Sequence, residues 1–332
     1  MNRKNLTTIF LLFLLLVFSA CAGILFGSVS LNPQDVLNCF QPESSGSTAY
    51  VLITTVRIPR VLGGMLAGTG LACAGVILQG VMNNSLASPN TIGVNSGSGF
   101  AVMLAMLLFP GRNGILPAAA FLGALLTSLI VFALGMLADS SRTTIILAGI
   151  TISSFLNAGI NTIKLLNTDV TINLTTFLVG TLSGLTINRL LLPGVCILTA
   201  FALSLFYALP LNILALGDDI AASLGLQVSF TRFVLLILSS VMAGCVVSYA
   251  GLLSFIGLVA PHICRRLFGN DARLLLPCSA LLGSSFVILC DLVGRLVAAP
   301  FELPAGIIMS FIGGPFFLYL LLKKKGGRRV HA

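Results

Sequence analysis

Charge is what this chain is short of. Only 8% of its 332 residues are Asp, Glu, Lys or Arg, and nine are acidic, whereas a soluble domain carries about 25% charged residues. That scarcity excludes a soluble globular protein. The ten-residue alternation of a membrane β-barrel is also missing, which leaves a polytopic α-helical membrane protein. The chain has no GxxxxGK[ST] phosphate loop, so it is not expected to hydrolyse ATP. Its eight cysteines form no CxxC pair and no Cys/His cluster; they read as small buried hydrophobes, with no metal site and no cofactor expected. No carboxylate falls at a bilayer midplane, where ion-coupled carriers commonly place one.

What fills the chain is apolar sequence: 57% hydrophobic residues and a mean hydropathy of +1.08. Runs separated by Pro, Gly, Asn or charge give ten candidate spans, at about 6–29, 58–82, 91–109, 115–137, 143–166, 189–209, 229–249, 252–266, 274–296 and 305–322. The first continues past Cys21 and is too long for a signal-peptide core of roughly 7–15 residues, so it reads as a retained helix. The eighth is short and begins after Gly251. It reads as a broken or partly re-entrant segment, tolerable where protein covers its backbone.

Arg3 and Lys4 precede the first span, and Lys323, Lys324, Lys325, Arg328 and Arg329 follow the last. Basic flanks mark the cytoplasmic side and suit anionic lipid, so the net charge of +9 is not a nucleic-acid signal. With both termini cytoplasmic, the threading puts the Gly217–Arg232 stretch, Arg265, Arg266 and Arg273 inside. Arg57, Arg60, Arg112, Arg189 and Arg295 fall outside, against the usual bias. Cations that break the rule need a use.

Four patterns stand out. Gly64, Gly68, Ala72 and Gly75 line one face of the second span, as small residues do where helices approach closely in a bilayer. The stretch LGDDIAASLGLQVSFTR, from Leu216 to Arg232, reads as a short surface helix: Asp218 and Asp219 suit its first turn, Ala221, Ala222, Ser223 and Leu224 its body, and Gly225 its end. The fifth span carries Ser153, Ser154, Asn157, Asn161 and Lys164 at helical spacing, either a hydrogen-bonding seam or the wall of a polar path. Ala67-Gly68 and Ala74-Gly75 match Ala243-Gly244 and Ala250-Gly251 five spans later, a faint sign of inverted repeats. TIGVNSGSGF only mimics a dinucleotide loop, since no βαβ unit accompanies it. Asp291 and Arg295 are spaced to pair along a helix, and Glu302 follows in the outer turn FELPAG.

The motifs RIPRVLGGMLAGTGLACAGVILQGVMNNSLASPNTIGVNSGSG, LGDDIAASLG, GLLSFIGLVAPHICRRLFGNDARLLLPCSALLGSSF, CDLVGR, FELPAGI and GGPFFLYLL, in that order, resemble the FecCD/BtuC family of ABC-transporter permeases. The resemblance implies an all-α, type II ABC importer permease fold of about ten transmembrane helices in one domain, residues 1–332. It implies a second permease subunit, identical or paired, above a cytoplasmic ATPase dimer, loaded by an extracytoplasmic binding protein. By the same resemblance Arg57, Arg60 and Arg295 dock binding-protein glutamates, and Asp218, Asp219, Ala221, Ala222, Ser223, Leu224 and Gly225, within about 216–228, form the helix coupled to the ATPase. Asn84 and Leu86, with Thr143 and Thr144, correspond to the cytoplasmic gate, although Ser85 stands where the family commonly has Pro. Asn157 and Asn161 are candidates for the path.

The expected function is import of a metal chelate, a ferric siderophore first, with haem, cobalamin or another metal or oxyanion cargo as alternatives, across a prokaryotic cell membrane. The rivals are an ion-coupled secondary transporter, which would need an intramembrane carboxylate, and a non-transporting scaffold.

Overall fold

The computed structural model describes residues 3–29, 34, 47–137 and 142–326. All regular structure among them is helical. Helix α1 spans Arg3–Leu25 and α2 Thr48–Val81. A 3₁₀ turn at Pro89–Ile92 precedes α3, Val94–Leu108. Then come α4, Leu116–Leu137; α5, Arg142–Leu166; α6, Thr168–Val179; α7, Ile187–Phe206; α8, Ala208–Ala215; and α9, Asp218–Ser223. The chain finishes with α10, Val228–Ala250; α11, Ile256–Phe268; α12, Ala272–Val297; and α13, Ala305–Gly326.

Each of the ten expected spans has a helix, and among the described residues seven helices are long and apolar enough to cross a membrane by length and composition. Helices α3 and α13 contain shorter apolar stretches, and α11 has 13 residues, about 20 Å of rise. Helices α3 and α11 begin partway along neighbouring helices. A Cβ on Gly257, at the start of α11, would lie 2.9 Å from the carbonyl oxygen of Leu71 in α2 and 3.3 Å from Pro89 in the 3₁₀ turn.

Helix α2 also starts ten residues earlier than the hydropathy suggests. Its first turns, Leu52–Arg57, widen into a π-helix. Pro59 lacks the N–H that would bond back to Thr55, and the widened turn carries the helix across that gap. Arg57 and Arg60 consequently sit inside a helix rather than at the head of one.

The core is the antiparallel pair α2 and α12. The small-residue face forms as expected. A side chain on Gly68 would overlap the backbone of Gly283 and Ser284, and one on Gly75 the backbone of Gly257. With the backbones this close, polar groups cross-link the helices. Ser284 donates to the Met65 carbonyl (2.7 Å) and shares a hydrogen bond with Thr69 (3.0 Å), while the Cys73 thiol reaches the Leu276 carbonyl at 3.5 Å.

Helices α10 and α4 repeat this arrangement in the opposite sense: Gly244 faces Ala124 and Phe121 as Gly68 faces Gly283. Helices α3 and α11 each follow a left-handed residue, Gly93 (φ 78°) and Phe255 (φ 65°). The faint repeat in the sequence thus corresponds to a repeated pairing pattern.

The broken stretch before α11 is covered, as a non-helical backbone in a bilayer requires. Its cover is α6, which the hydropathy reading left unassigned. The Leu252 N–H donates to the Phe177 carbonyl at 3.0 Å, the Thr181 N–H to Ala250 at 2.8 Å, and the Gly306 N–H to Gly180 at 3.1 Å. Gly251, with φ 70°, has Phe177 where a side chain would go, so no other residue fits there.

Candidate functional site

The residues singled out in the sequence collect at two opposite ends. At one end α2 begins, α12 finishes and α1 finishes. Arg57 donates to the carbonyls of Ile24 (2.7 Å), Leu25 (2.6 Å) and Val29 (2.5 Å). Arg295 donates to Gly23 (3.2 Å) and Phe26 (3.3 Å). The last carbonyls of a helix have no partner within it, and two guanidiniums, favoured by the helix dipole, supply donors for those of α1.

Arg60 does something else. Its Nε donates to both oxygens of Asp291, at 3.0 and 2.9 Å, and its Nη1 to Glu302 at 2.7 Å. Asp291 also forms an ion pair with Arg295 at 3.1 Å. The i,i+4 pair expected at a helix surface is therefore a buried one, with both side chains 3% exposed. Arg57, Arg60 and Arg295 are brought together, and all three are buried, each 3% exposed. Sequence reasoning had them as outward-facing cations. It missed that Asp291 and Glu302 join them, because a pairing across 231 residues leaves no local signal.

Glu302 lies outside the helices and is 28% exposed. It also accepts from Ser28 (3.0 Å) and Ser183 (3.4 Å). Burial alone would raise its pKa. The Arg60 hydrogen bond and charge, the Ser28 hydrogen bond and the Arg295 charge outweigh that and hold it below the usual carboxylate range.

At the other end lies α9. Gly217, with φ 120°, leads into it. The Gly225 N–H donates to Ala222 and the Leu226 N–H to Ala221, a glycine-terminated close of the expected kind. Ala221 is fully buried, while Leu216, Ile220 and Leu224 are exposed by 60%, 50% and 62%. An apolar row running from the end of α8, through Ile220 of α9, to the residue after it thus faces outward. Both Asp218 oxygens accept from Arg232 on α10 at 2.8 Å, so α9 is tied to a long helix. Close by, the Asp271 carboxylate caps α12 through the Arg273 N–H (3.0 Å). It also accepts from Asn212 of α8 (2.7 Å), whose own oxygen takes the Ala272 N–H (2.8 Å). That Asn212 hydrogen bond, the largest influence, lowers the Asp271 pKa.

Asp271 and Arg295 bracket α12, which separates them by about 36 Å at 1.5 Å per residue, more than the roughly 30 Å hydrocarbon thickness. Both α1 and α13 have their far ends on the α9 side, because Gly23 packs on Arg295 and α13 leaves from the turn holding Glu302.

The remaining candidates are grouped more loosely. The Asn84 side chain accepts from the Leu86 N–H at 3.0 Å, making a local turn without proline. That turn leads to Thr91, which packs on Gly149 of α5, the helix whose first turn holds Thr143 and Thr144. Thr143, Asn157 and Asn161 are exposed, and only 17% of the spanning window of α5 is buried. A helix this apolar leaves most of its surface uncovered within one chain. Ser154 turns back to its own helix at Ile150 (2.9 Å).

This fold is that of an ABC-importer permease: it superposes on a solved metal-chelate type ABC transporter in an inward-facing conformation with a TM-score of 0.83, at 30% identity, covering 96% of this chain and 99% of that one. The FecCD transport family matches residues 14–323, and the chain belongs to that family. Among its relatives in Bacillus subtilis (strain 168), the Fe(3+)-citrate import system permease YfmE is 35% identical over 323 residues, covering 96% of each chain. The siderophore transport system permease YfhA of the same organism is 39% identical over 321 residues, covering 93% of this chain and 91% of that relative.

Proposed function

We propose that this chain is the membrane permease subunit of an ABC importer that carries a metal chelate, a ferric siderophore first, across a prokaryotic cell membrane. A cytoplasmic ATPase dimer drives it through the Asp218–Gly225 helix. An extracytoplasmic binding protein docks at the Arg57, Arg60 and Arg295 end, and a second permease subunit covers α5. The observation that carries this reading is the separation of the two ends along α2 and α12. The relatives named for citrate-bound and siderophore-bound iron favour an iron chelate.

ATP binding closes the motor dimer, and the apolar row Leu216, Ile220 and Leu224 seats α9 in it. The Asp218–Arg232 tie passes α9's displacement into α10, so the two permease subunits rock about the path between their α5 helices. Asn157 and Asn161 offer that path hydrogen-bonding groups without fixed charge, which suits a large chelate that must leave as readily as it enters.

The test is uptake of iron supplied as citrate and as hydroxamate chelates, in cells with this chain deleted and the motor subunit retained. Uptake is lost on deletion, restored by the chain, and abolished by ATP depletion. Uptake that survives ATP depletion but stops when ion gradients collapse would overturn the reading in favour of a secondary carrier. Single cysteines beside Arg57 and beside Asp219, probed with a membrane-impermeant thiol reagent, must react from opposite faces.

A further inference from the structure

Docking by three arginines meets a physical obstacle: all three are buried and already hold partners within the chain. The cluster of Arg57, Arg60, Arg295, Asp291 and Glu302 has a formal charge of +1, yet little of it faces outward. Its two carboxylates differ in kind. Asp291 is 2% exposed, fixed on α12, hydrogen-bonded to Arg60 and ion-paired with Arg295. Glu302 is partly exposed and sits in the turn between α12 and α13. It is held by one guanidinium nitrogen at 2.7 Å and two serine hydroxyls at 3.0 and 3.4 Å. Arg60 has in addition a buried Nη2 with no hydrogen-bond partner, so its fork is only partly used.

We propose that Glu302 is an internal stand-in for the partner's carboxylate, and that docking proceeds by exchange: an acidic side chain of the binding protein displaces Glu302 from Arg60 and takes the open Nη2 as well. The inference rests on the docking role assigned to the arginine end. Without Glu302 the single carboxylate of Asp291 would be shared by the buried guanidiniums of Arg60 and Arg295, which is unfavourable, so an incoming carboxylate replaces Glu302 as it leaves. A carboxylate that bonds both Nη1 and Nη2 makes the bidentate contact that Glu302, bonded to Nη1 alone, does not. Glu302 therefore sets the threshold for docking. It keeps the arginines compact when no partner is present, and it rejects surfaces that bring no acid to the site.

Ser28 on the loop after α1 and Ser183 ahead of α7 share Glu302, so its release also loosens three elements from one another. The exchange thereby reaches α7 and α13 as well as the docking face.

The experiment compares Glu302→Gln with the unmodified assembled transporter in lipid nanodiscs. Each is titrated with the extracytoplasmic binding protein that co-purifies with that transporter, at several salt concentrations. Glu302→Gln keeps the side chain's size and its serine hydrogen bonds but removes the charge that competes for Arg60. The expected result is docking about tenfold tighter, by the scale of close charge pairs at interfaces, with a steeper salt dependence because the cluster rises from +1 to +2. Ser28→Ala, which leaves all charges in place, tightens docking less. In an Arg60→Gln background the Glu302 substitution has no further effect.

Docking that is weakened or unchanged by Glu302→Gln, while Arg57→Gln or Arg60→Gln weakens it, overturns the exchange and leaves arginine docking standing. Docking indifferent to the arginine and the glutamate variants alike overturns both. Reactivity of the buried thiols Cys73 and Cys290, unchanged across the set, shows that each variant is folded.

Discussion

Replacing Gly68 by alanine adds one methyl group where α2 and α12 cross backbone to backbone. The group would overlap the carbonyl carbon and oxygen of Gly283 and the Cα of Ser284. These are backbone atoms, so no rotamer change makes room. The size of the conflict can be read from the other side of the contact. A Cβ on Gly283 would stand 2.8 Å from the Ala72 Cβ, against about 3.5–4.0 Å for carbon atoms in favourable contact. The Gly68 methyl meets backbone closer still, so helices α2 and α12 must separate by more than about 1 Å, which stretches the Ser284–Met65 and Thr69–Ser284 hydrogen bonds. Overpacking of this sort costs about 1–3 kcal/mol, and obstruction by backbone places Gly68→Ala toward the upper part of that range.

The protein carries its own reporter. Cys73 on α2 and Cys278 and Cys290 on α12 are buried, so a thiol-reactive fluorophore labels them only when the pair opens. With fast reclosing, labelling speeds up in proportion to the open population, roughly 5- to 150-fold for that free-energy range. Gly314→Ala on α13, where an added Cβ meets nothing within 4 Å, serves as the control and leaves labelling unchanged. If Gly68→Ala labels at the unmodified rate, the crossing at Gly68 is not the close contact described, and the rigid-pair account of the fold falls.

Three other perturbations separate the roles of the remaining contacts. Asp271→Ala removes the cap of α12 and the hook to Asn212; the loss is about 1 kcal/mol, typical of an N-cap, seen as a lower melting temperature in detergent, while Asp271→Asn recovers part of it. Arg232→Gln cuts the tie from α10 to α9, so ATP hydrolysis by the assembled transporter continues while chelate uptake per ATP falls; unaltered coupling would remove Arg232 from the transmission route. Glu302 titrates below the usual glutamate range, and a depressed folded pKa adds stability above the ordinary value, about 4.3, that is lost as pH falls through the lowered one. The melting-temperature gap between unmodified protein and Glu302→Gln is therefore constant from pH 7 to about 5 and closes only below about 4.3; a gap that closes near neutrality contradicts the ion pair with Arg60.

The helical fold and the residues that collect at its two ends were legible in the sequence, for reasons that differ. Hydropathy reports the cost of exposing polar groups to lipid, so it finds any helix with an apolar surface, and it located α1, α4, α5, α7, α10 and α12 closely. It cannot register where a helix begins within the bilayer, so it took α3 for a crossing although its start lies against Thr127 of α4, while the shortness of α11 did mark a broken segment, whose start lies against Leu71 and Gly75 of α2. Nor did it find α6, whose value lies in bonding Leu252 and Thr181. Glycine spacing revealed the α2 face because close approach needs small residues on one stripe, while the partner glycines at 257 and 283 were invisible without the tertiary contact. Arginines at 57, 60 and 295 stood out because they defied the side rule for charge. Their burial did not, because it depends on carbonyls of α1 and on two acids far along the chain.

The two ends act on one another only if something between them is stiff. Helices α2 and α12 supply that stiffness, since a glycine-to-glycine contact has no side chains to repack and so admits one separation. On the proposed reading, partner docking bears on the first turns of α2 and the last of α12, beside the π-helical stretch and the Glu302 turn. The far ends meet α8 through Asn212 and, beyond it, α9. On that reading the α2–α12 strut moves as a body, and what gives are the polar ties at its two ends, those of Arg57, Arg295 and Glu302 at one and those of Asn212 and the Asp218–Arg232 pair at the other. A variant that loosens the strut, such as Gly68→Ala, should therefore lose communication between docking and ATP hydrolysis before it loses either activity alone.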